Sequence, residues 1–384
     1  MSTEIQTPPP LPKASREVIH IHDGVAGSGK TTRLIGKALR IAEKGLKVQI
    51  ITLTNAAALE LDHRLKLSPV RDKIKINTLH SLSVDVLQQV SRKVRAVVLG
   101  QKVDIKQAER DFKVSGTVHI EQVIEMLYAR LANPYSDPDA FDLSVEAVLV
   151  DEYQDHSARD FELLKCLTTS EVHLYGDPHQ TLFGFRGAAP RCWEPLTNQS
   201  LIPYNCYDVI SHPVEKTSFR VPQAVSERLT DLIGSGCPNI ASTDPGGELR
   251  IVEKQPLWPL LEKFETGTIA VLGRYNDTLR DIVFDNDLQQ VYDTRRELVI
   301  LQKKLASGEL SDDERKKVNT EVIKLKRRSS IYQLRDRKFT LSTIHSAKGL
   351  EWDHVILFDD FKREEPNHYY VACTRALKTL IIAE

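Results

Sequence analysis

Residues Gly24-Val25-Ala26-Gly27-Ser28-Gly29-Lys30-Thr31 fit the pattern GxxxxGK[ST] in full. Glycines let such a backbone curl until successive N–H groups face a phosphate, and a following helix adds the positive end of its dipole. Lys30 is placed to reach the β- and γ-phosphates and Thr31 to hold Mg²⁺. Gly24, Ala26, Gly27, Ser28, Gly29, Lys30, Thr31 and the adjoining Thr32 are therefore the expected nucleotide contacts. A second candidate lies more than a hundred residues on, where Val148-Leu149-Val150 runs into Asp151-Glu152. Apolar residues carry the chain through a sheet, and two carboxylates emerge at its C-terminal edge, where ligands bind in open α/β sheets. Asp151 suits Mg²⁺, and Glu152 suits orienting and deprotonating a water. The expected chemistry is Mg²⁺-dependent hydrolysis of a nucleoside triphosphate, with Mg²⁺ as a cofactor.

These residues need a sheet to hold them. Apolar runs at 18–22 (VIHIH), 48–53 (VQIITL), 147–150 (AVLV) and 172–175 (VHLY) alternate with helical patterns such as TRLIGKALRIAEKG, which closes on Gly45. Continuous apolar strands separated by helices predict α/β domains with parallel sheets covered on both faces. The alternation weakens over 81–146, which reads as a helical and basic insertion with helix-like segments at 82–99 and 119–132. A second α/β pattern runs from about 205 to 280 and resumes at 339. Between them, 285–338 carries apolar residues at three-to-four spacing among dense charges, broken at Gly308, and predicts an antiparallel helical hairpin. Its end holds Lys324, Lys326, Arg327, Arg328, Arg335, Arg337 and Lys338 against the single acid Asp336. The expected boundaries are an extended Pro-rich tail over 1–15, a first domain over 16–204 and a second over 205–384.

Composition narrows the classes. With 384 residues, 41% hydrophobic and 27% charged, the chain can bury two cores. Fifty-two Lys and Arg against 53 Asp and Glu exclude a binder whose whole surface is basic, while leaving room for a local basic groove. Five cysteines without a CxxC pair argue against a zinc ribbon, an iron–sulfur cluster or a disulfide framework. They point to a reducing compartment, cytoplasm or nucleoid. The start has no apolar segment of the signal-peptide kind, and no apolar run approaches the ~18–20 residues that span a bilayer.

Several further words select among enzymes with this phosphate loop. Asp151-Glu152-Tyr153-Gln154-Asp155 is followed by Gly176-Asp177-Pro178-His179-Gln180 and by Phe183-Gly184-Phe185-Arg186. Thr343 to Glu351 (TIHSAKGLE) and Tyr370 to Ala376 (YVACTRA) come later. In this set and order the chain resembles the UvrD/Rep/PcrA family of superfamily 1 DNA helicases. Thr52 to Asn55 look like the family's motif Ia, Thr78 to Ser81 like motif Ib, Thr217 to Arg220 like motif IV, and Ala270 to Arg274 like the strand called IVa. The resemblance implies two RecA-like domains with ATP in the cleft between them, and an ATP-driven translocase on single-stranded DNA working 3′ to 5′.

It also implies roles. Arg220 and Arg375 match arginines that reach the nucleotide, and an arginine finger is worth ~10³–10⁵ in rate in well-studied NTPases. Gln180 matches the glutamine that touches the γ-phosphate, and Gly349 and Glu351 match the segment near the ribose. Asn55, Thr78, His80, Phe183, Phe185, Arg186 and His345 match residues on the DNA path, the two phenylalanines as a platform for stacked bases. Outside these motifs, His20, His22, His119, His212 and His368 read as ordinary strand, surface or loop residues. The chain departs from the pattern in three places. LPKASREVIHIH lacks the glutamine that reads adenine, so the base is not specified. Thr32 stands where many relatives have Arg, and only the hairpin replaces the family's large helical insertion. The partners expected are single-stranded DNA and single-strand/duplex junctions, with no membrane. An alternative is a DNA-stimulated ATPase subunit that unwinds little alone and serves a protein partner such as a nuclease.

Overall fold

The computed structural model describes residues 17–91, 96–98, 103–131, 145–167, 171–194, 207–234, 237–285, 331–334, 337–359 and 365–384, and single helical residues between 297 and 322. The chain divides into two compact units. The first comprises 1–24 and 30–215, the second 25–29 and 216–384.

In the first unit the strands are β1 (Glu17–Asp23), β2 (Val48–Thr52), β3 (Ile74–Thr78), β4 (Ala96–Val98), β5 (Thr117–His119), β6 (Ala147–Asp151), β7 (Glu171–Gly176) and β8 (Tyr207–Ser211). Six of them form one sheet in the order β3-β2-β6-β7-β1-β8, parallel throughout. The helices are α1 (Lys30–Ala42), α2 (Asn55–Leu65), α3 (Leu79–Ser91), α4 (Ile105–Ser115), α5 (Val123–Leu131) and α6 (Ala158–Leu167). Both faces of the sheet are covered. Val148 and Val150 of β6 join Ile19, Ile21, Leu87, Met126 and Phe161 in one apolar cluster. Ala147 and Leu149 join Ile50, Leu34, Ala38 and Leu61 in the other. Alternation along a strand is what divides them, and burial on both faces is why β6 reads as an unbroken apolar run up to Asp151.

The second unit contains β9 (Thr217–Ser218), α7 (Gln223–Ile233), β10 (Ala241–Ser242), β11 (Glu248–Val252), α8 (Leu257–Leu261), β12 (Ile269–Gly273), α9 (Asn276–Asp285), β13 (Ile331–Leu334), β14 (Arg337–Thr343), α10 (Ile344–Ala347), β15 (Trp352–Phe358), α11 (Pro366–Cys373) and β16 (Ala376–Ala383). Its main sheet runs β11-β16-β15-β12-β14-β13, parallel except for the antiparallel edge strand β13. Leu257, Leu260, Phe264, Val271, Phe339 and Ile356 form its described core.

The expected α/β architecture with two parallel sheets is present, and three boundaries move. β8 pairs in parallel with β1, so the first unit extends to Glu215 and not to 204. The helix expected over 82–99 stops at Ser91, and the β-branched pair Val97-Val98 enters a short parallel pairing with β5. The hairpin expected to end at 338 gives way to strand at Ile331, where Ile-Tyr favours a pleated surface. The tail, most of the hairpin and its basic residues Lys324, Lys326, Arg327, Arg328 and Arg335 lie outside the described residues. Cys192, Cys237 and Cys373 are free thiols. Among the described residues no helix is long and apolar enough to cross a membrane.

Leu149 is fully buried between β2 and β7. Leu149→Ala should lower the urea-unfolding stability of the full chain by about 2–5 kcal/mol, whereas Val209→Ala, on the exposed edge strand β8, should cost much less.

Candidate functional site

The first unit brings the start of the glycine loop to the end of β6. β1 stops at Asp23, the Gly24 N–H donates to Gly176 O at 3.0 Å, and α1 begins at Lys30. Lys30 is buried and donates from Nζ to Gly24 O at 2.8 Å. Thr31 Oγ1 donates to Asp151 Oδ2 at 3.2 Å, so the loop and the end of β6 meet as the spacing implied. Burial pushes the Asp151 carboxyl up to about 7, with the adjacent Glu152 charge adding to the effect and Lys30 and Thr31 opposing it. Asp151 Oδ1 is buried and has no hydrogen-bond partner among the described residues. An unpartnered carboxylate oxygen beside a hydroxyl is a hard, all-oxygen donor set, which fits Mg²⁺. Thr32 is exposed and accepts at Oγ1 from Arg64.

Glu152 has φ +53° and ψ +45°, the left-handed region that a side chain with Cβ rarely occupies. The turn it makes starts the short helix Tyr153–Asp155, whose side chains knit the site together. Gln154, fully buried, donates from Nε2 to Glu152 Oε2 at 2.6 Å and accepts at Oε1 from the Asp177 N–H at 3.1 Å. Asp177 Oδ2 in turn accepts from Gln180 Nε2 at 2.9 Å. Tyr153 OH donates to Asp23 Oδ1 at 2.7 Å, and Asp155 Oδ1 accepts from the Leu182 N–H at 3.2 Å. A continuous hydrogen-bonded path thus leads from Glu152 to the segment before Phe183. Gly176 is required by close approach, because a Cβ there would fall on Gln154 Oε1 and within 2.5 Å of the Tyr153 ring.

Phe185 is 77% exposed, in the short helix Gly184–Arg186, with its ring centroid 6.0 Å from that of half-buried Phe183. That exposure rules out a shared core face and leaves an aromatic surface. Beside it opens a cavity of about 170 Å³ lined by Thr52, Leu79, His80, Asp155, His156 and Arg186 among others. His80 and Arg186 are thus brought together, and Asn55 is exposed at the start of α2. Thr78 is different: it is buried, and its hydroxyl accepts from the Ser81 N–H at the start of α3, a capping role.

In the second unit, segment 25–29 packs on the turn after β9. Ser218 Oγ donates to Ala26 O at 2.8 Å, the Phe219 N–H donates to Gly27 O at 3.0 Å, and the Ala26 N–H donates to Tyr370 OH at 2.9 Å. Gly27, at φ +73°, admits no side chain, since a Cβ would fall on Arg220 Cβ and within 2.7 Å of Ser218 Oγ. Arg220 therefore stands beside the glycine loop, its Nε 2.6 Å from Glu351 Oε2. Gly349, at φ +83°, is exposed two residues before Glu351. Arg375 is 1% exposed and donates to Val371 O, Leu350 O and Thr374 Oγ1, contacts that hold the backbone leading into Glu351. His345 Nδ1 lies 3.3 Å from Arg274, whose guanidinium pairs with both oxygens of Glu365.

The sequence had not singled out Gln154, Asp155 or Asp177 as site residues, although all three stand inside the quoted motifs. Their place inside those motifs was the available signal.

Residues 12–186 match the family model described as AAA domain, and residues 338–383 match the UvrD-like helicase C-terminal domain. The chain is 24% identical over 264 residues to a probable DNA helicase of Mycoplasma pneumoniae, covering 63% of this chain and 44% of that protein. It is 22% identical over 462 aligned positions to the Gabija protein GajB of Bacillus cereus, covering 93% and 91%. The chain therefore spans less than half of the first relative's length and nearly all of the second's. Among solved structures it is similar to the PRRSV helicase, at TM-score 0.43, 14% identity and coverage of 95% of this chain and 52% of that one. The Arterivirus nonstructural protein 10 helicase in complex with DNA has TM-score 0.43 and 16% identity, with coverage of 95% and 60%.

The Asp151 carboxyl titrates in the fold well above its ordinary value of 3.8. The folded state therefore favours the protonated form, and this contribution to stability is complete below about 4 and lost as pH rises through about 7. Without Mg²⁺, Asp151→Asn should melt higher than wild type at pH 8. The gap should close as pH falls toward 4, as read by differential scanning fluorimetry across that range.

Proposed function

Because the chain belongs to the UvrD-like family of superfamily 1 helicases, we propose that it is an ATP-driven translocase on single-stranded DNA that unwinds 3′-tailed duplexes. The observation that carries the proposal is the hydrogen-bonded path from Glu152 through Gln154 and Asp177 to Gln180. It joins the carboxylates at the end of β6 to the segment that presents Phe183 and Phe185.

In this reading the glycine loop and Lys30 cradle the triphosphate. Thr31 and Asp151 would hold Mg²⁺, which supplies positive charge to the phosphate oxygens. Glu152, kept in place by Gln154, accepts the proton of the attacking water. Arg220, held beside Gly27, brings positive charge to the transferring phosphoryl group. Arg375 acts through its neighbours, fixing the backbone that positions Glu351 and hence Arg220. Gln180 reports the state of the phosphates to the aromatic surface. Phe183 and Phe185 stack on bases, His80, Arg186, Asn55 and His345 contact the strand, and Thr78 shapes the start of α3. Base–aromatic stacking tolerates any sequence, which suits a motor that must move along its track.

The test is ATP turnover with and without single-stranded DNA, run beside strand displacement on 3′- and 5′-tailed duplexes. Displacement confined to the 3′-tailed substrate supports the proposal. DNA-stimulated turnover with no displacement would favour the alternative, a motor subunit serving a protein partner. Glu152→Gln should lower turnover at least about 100-fold, the lower range for loss of a general base, while ATP binding measured by a fluorescent analogue persists. Phe185→Ala should raise the DNA concentration for half-maximal stimulation about 5- to 150-fold, equivalent to ~1–3 kcal/mol for one stacked base.

A further inference from the structure

Four histidines crowd one face of the first sheet. His20 and His22 stand on β1, His173 on β7, and His212 just after β8. The His20 and His173 rings stack at 4.5 Å and 9°, and the His22 and His212 rings at 4.2 Å and 12°. The β1–β7 register sets His20 opposite His173 and Val18 opposite Glu171. Two-residue periodicity then puts Glu171 and His173 on one face, while Ile19 and Ile21 point into the core on the other. We infer that His20, His173 and Glu171 form a binding site for one divalent transition-metal ion, Zn²⁺ in the first instance.

The geometry is close to that of a ligand set. One ligand atom from each of the three residues lies within 4.8 Å of the others. His173 Nε2 and Glu171 Oε2 are 3.1 Å apart, near the ~3.3 Å that separates ligands on a tetrahedral ion with bonds of about 2.0–2.1 Å. Metal-bound imidazoles use their second nitrogen on an orienting partner, and such partners are in place. His22 Nε2 is 3.1 Å from His173 Nδ1, and His212 Nε2 is 3.1 Å from His20 Nδ1. An ion taken at Nε2 of each ring leaves both contacts intact. All three ligands are carried on neighbouring rigid strands, so little ordering is needed on binding.

The electrostatics agree. Burial holds His173 down to about 4 and lowers His20 as well, which disfavours the charged imidazolium at both positions. Glu171 supplies one negative charge, shared now with Lys37 Nζ at 3.4 Å. Lys37 is the cation an ion must displace, and its flexible stem can turn to solvent. Arg33, also on α1, pairs loosely with Glu215 at 3.9 Å. Two imidazoles and one carboxylate select a borderline metal over Mg²⁺ or Ca²⁺. That separates this site from the oxygen donors Thr31 and Asp151. Three protein ligands leave a fourth position for water. A bound ion would clasp β1, the strand that delivers the glycine loop, to β7.

The experiment uses the full chain, stripped with a chelator and dialysed, in buffer containing Mg²⁺. Calorimetric titration with ZnCl₂ alone should show one ion bound per chain at micromolar or tighter affinity. Co²⁺ in its place should give the visible absorption of a tetrahedral centre. His20→Ala and Glu171→Gln should each weaken Zn²⁺ binding by about 100-fold or more, given that even outer partners are worth about 10- to 100-fold. His63→Ala, an exposed histidine on α2, should change nothing. Both ligand positions are partly exposed, so the variants should melt near wild type without metal. Zn²⁺ should then raise the melting temperature of wild type and His63→Ala but not of the two ligand variants. Absence of micromolar binding, or equal affinity in His20→Ala, would overturn the inference.

Discussion

Asp151 is a carboxylate only 7% exposed at the end of a strand whose other residues are wholly or almost wholly apolar and buried, and the rest of the first unit is arranged around the cost of keeping it there. A charge taken out of water needs opposite charge or hydrogen bonds close by. Lys30 and Thr31 supply both, and they can do so only because β1 and β6 lie on either side of β7 in a parallel sheet that brings their C-terminal ends to one edge. Burial still holds the carboxyl above its ordinary range. The site therefore gains from any cation that arrives with a ligand, which is a physical reason for a nucleotide-bound metal to matter here.

The same constraint explains the strain next door. Asp151 is the last residue of β6, and the chain must turn sharply to present Glu152 beside it without extending the strand. The left-handed conformation of Glu152 accomplishes that turn, and Gln154 holds the resulting carboxylate by a hydrogen bond across two residues. Gly176 then has to be bare, because Gln154 and Tyr153 occupy the space a side chain would take. In the second unit a comparable close approach makes Gly27 bare against Ser218 and Arg220. Both glycines are places where backbone and side chain meet too closely for a Cβ.

What the sequence made legible follows from where information is local. Largely apolar runs announced β1, β2, β6 and β7, most plainly at β6, where burial on both faces leaves no polar alternation before Asp151. The glycine loop and Asp151-Glu152 were legible because their chemistry needs adjacent residues, and Phe183 and Phe185 because glycine and arginine flank them. β8 was assigned to the wrong side of the domain boundary, since nothing in YDVIS says which sheet an edge strand will join. The role of Gln154 depends on Asp177, 23 positions away, and that of the histidine face on contacts across 151 and 192 positions. Arg375 was recognisable by its motif, but its burial against Val371 O, Leu350 O and Thr374 Oγ1 was not, because that depends on how the end of α11 packs on the segment before β15.

Gln154 links the carboxylate that would activate water to the segment that would meet DNA. Gln154→Met keeps the volume and removes both hydrogen bonds. The decisive measurement is its ATP turnover with and without single-stranded DNA, beside wild type, with melting temperature as the check on folding. Loss of a hydrogen bond to a charged group is worth about 1.5–3 kcal/mol. The account therefore predicts that DNA-stimulated turnover falls about 10- to 100-fold in a folded protein that still binds ATP. Turnover and stimulation equal to wild type in that variant would contradict it.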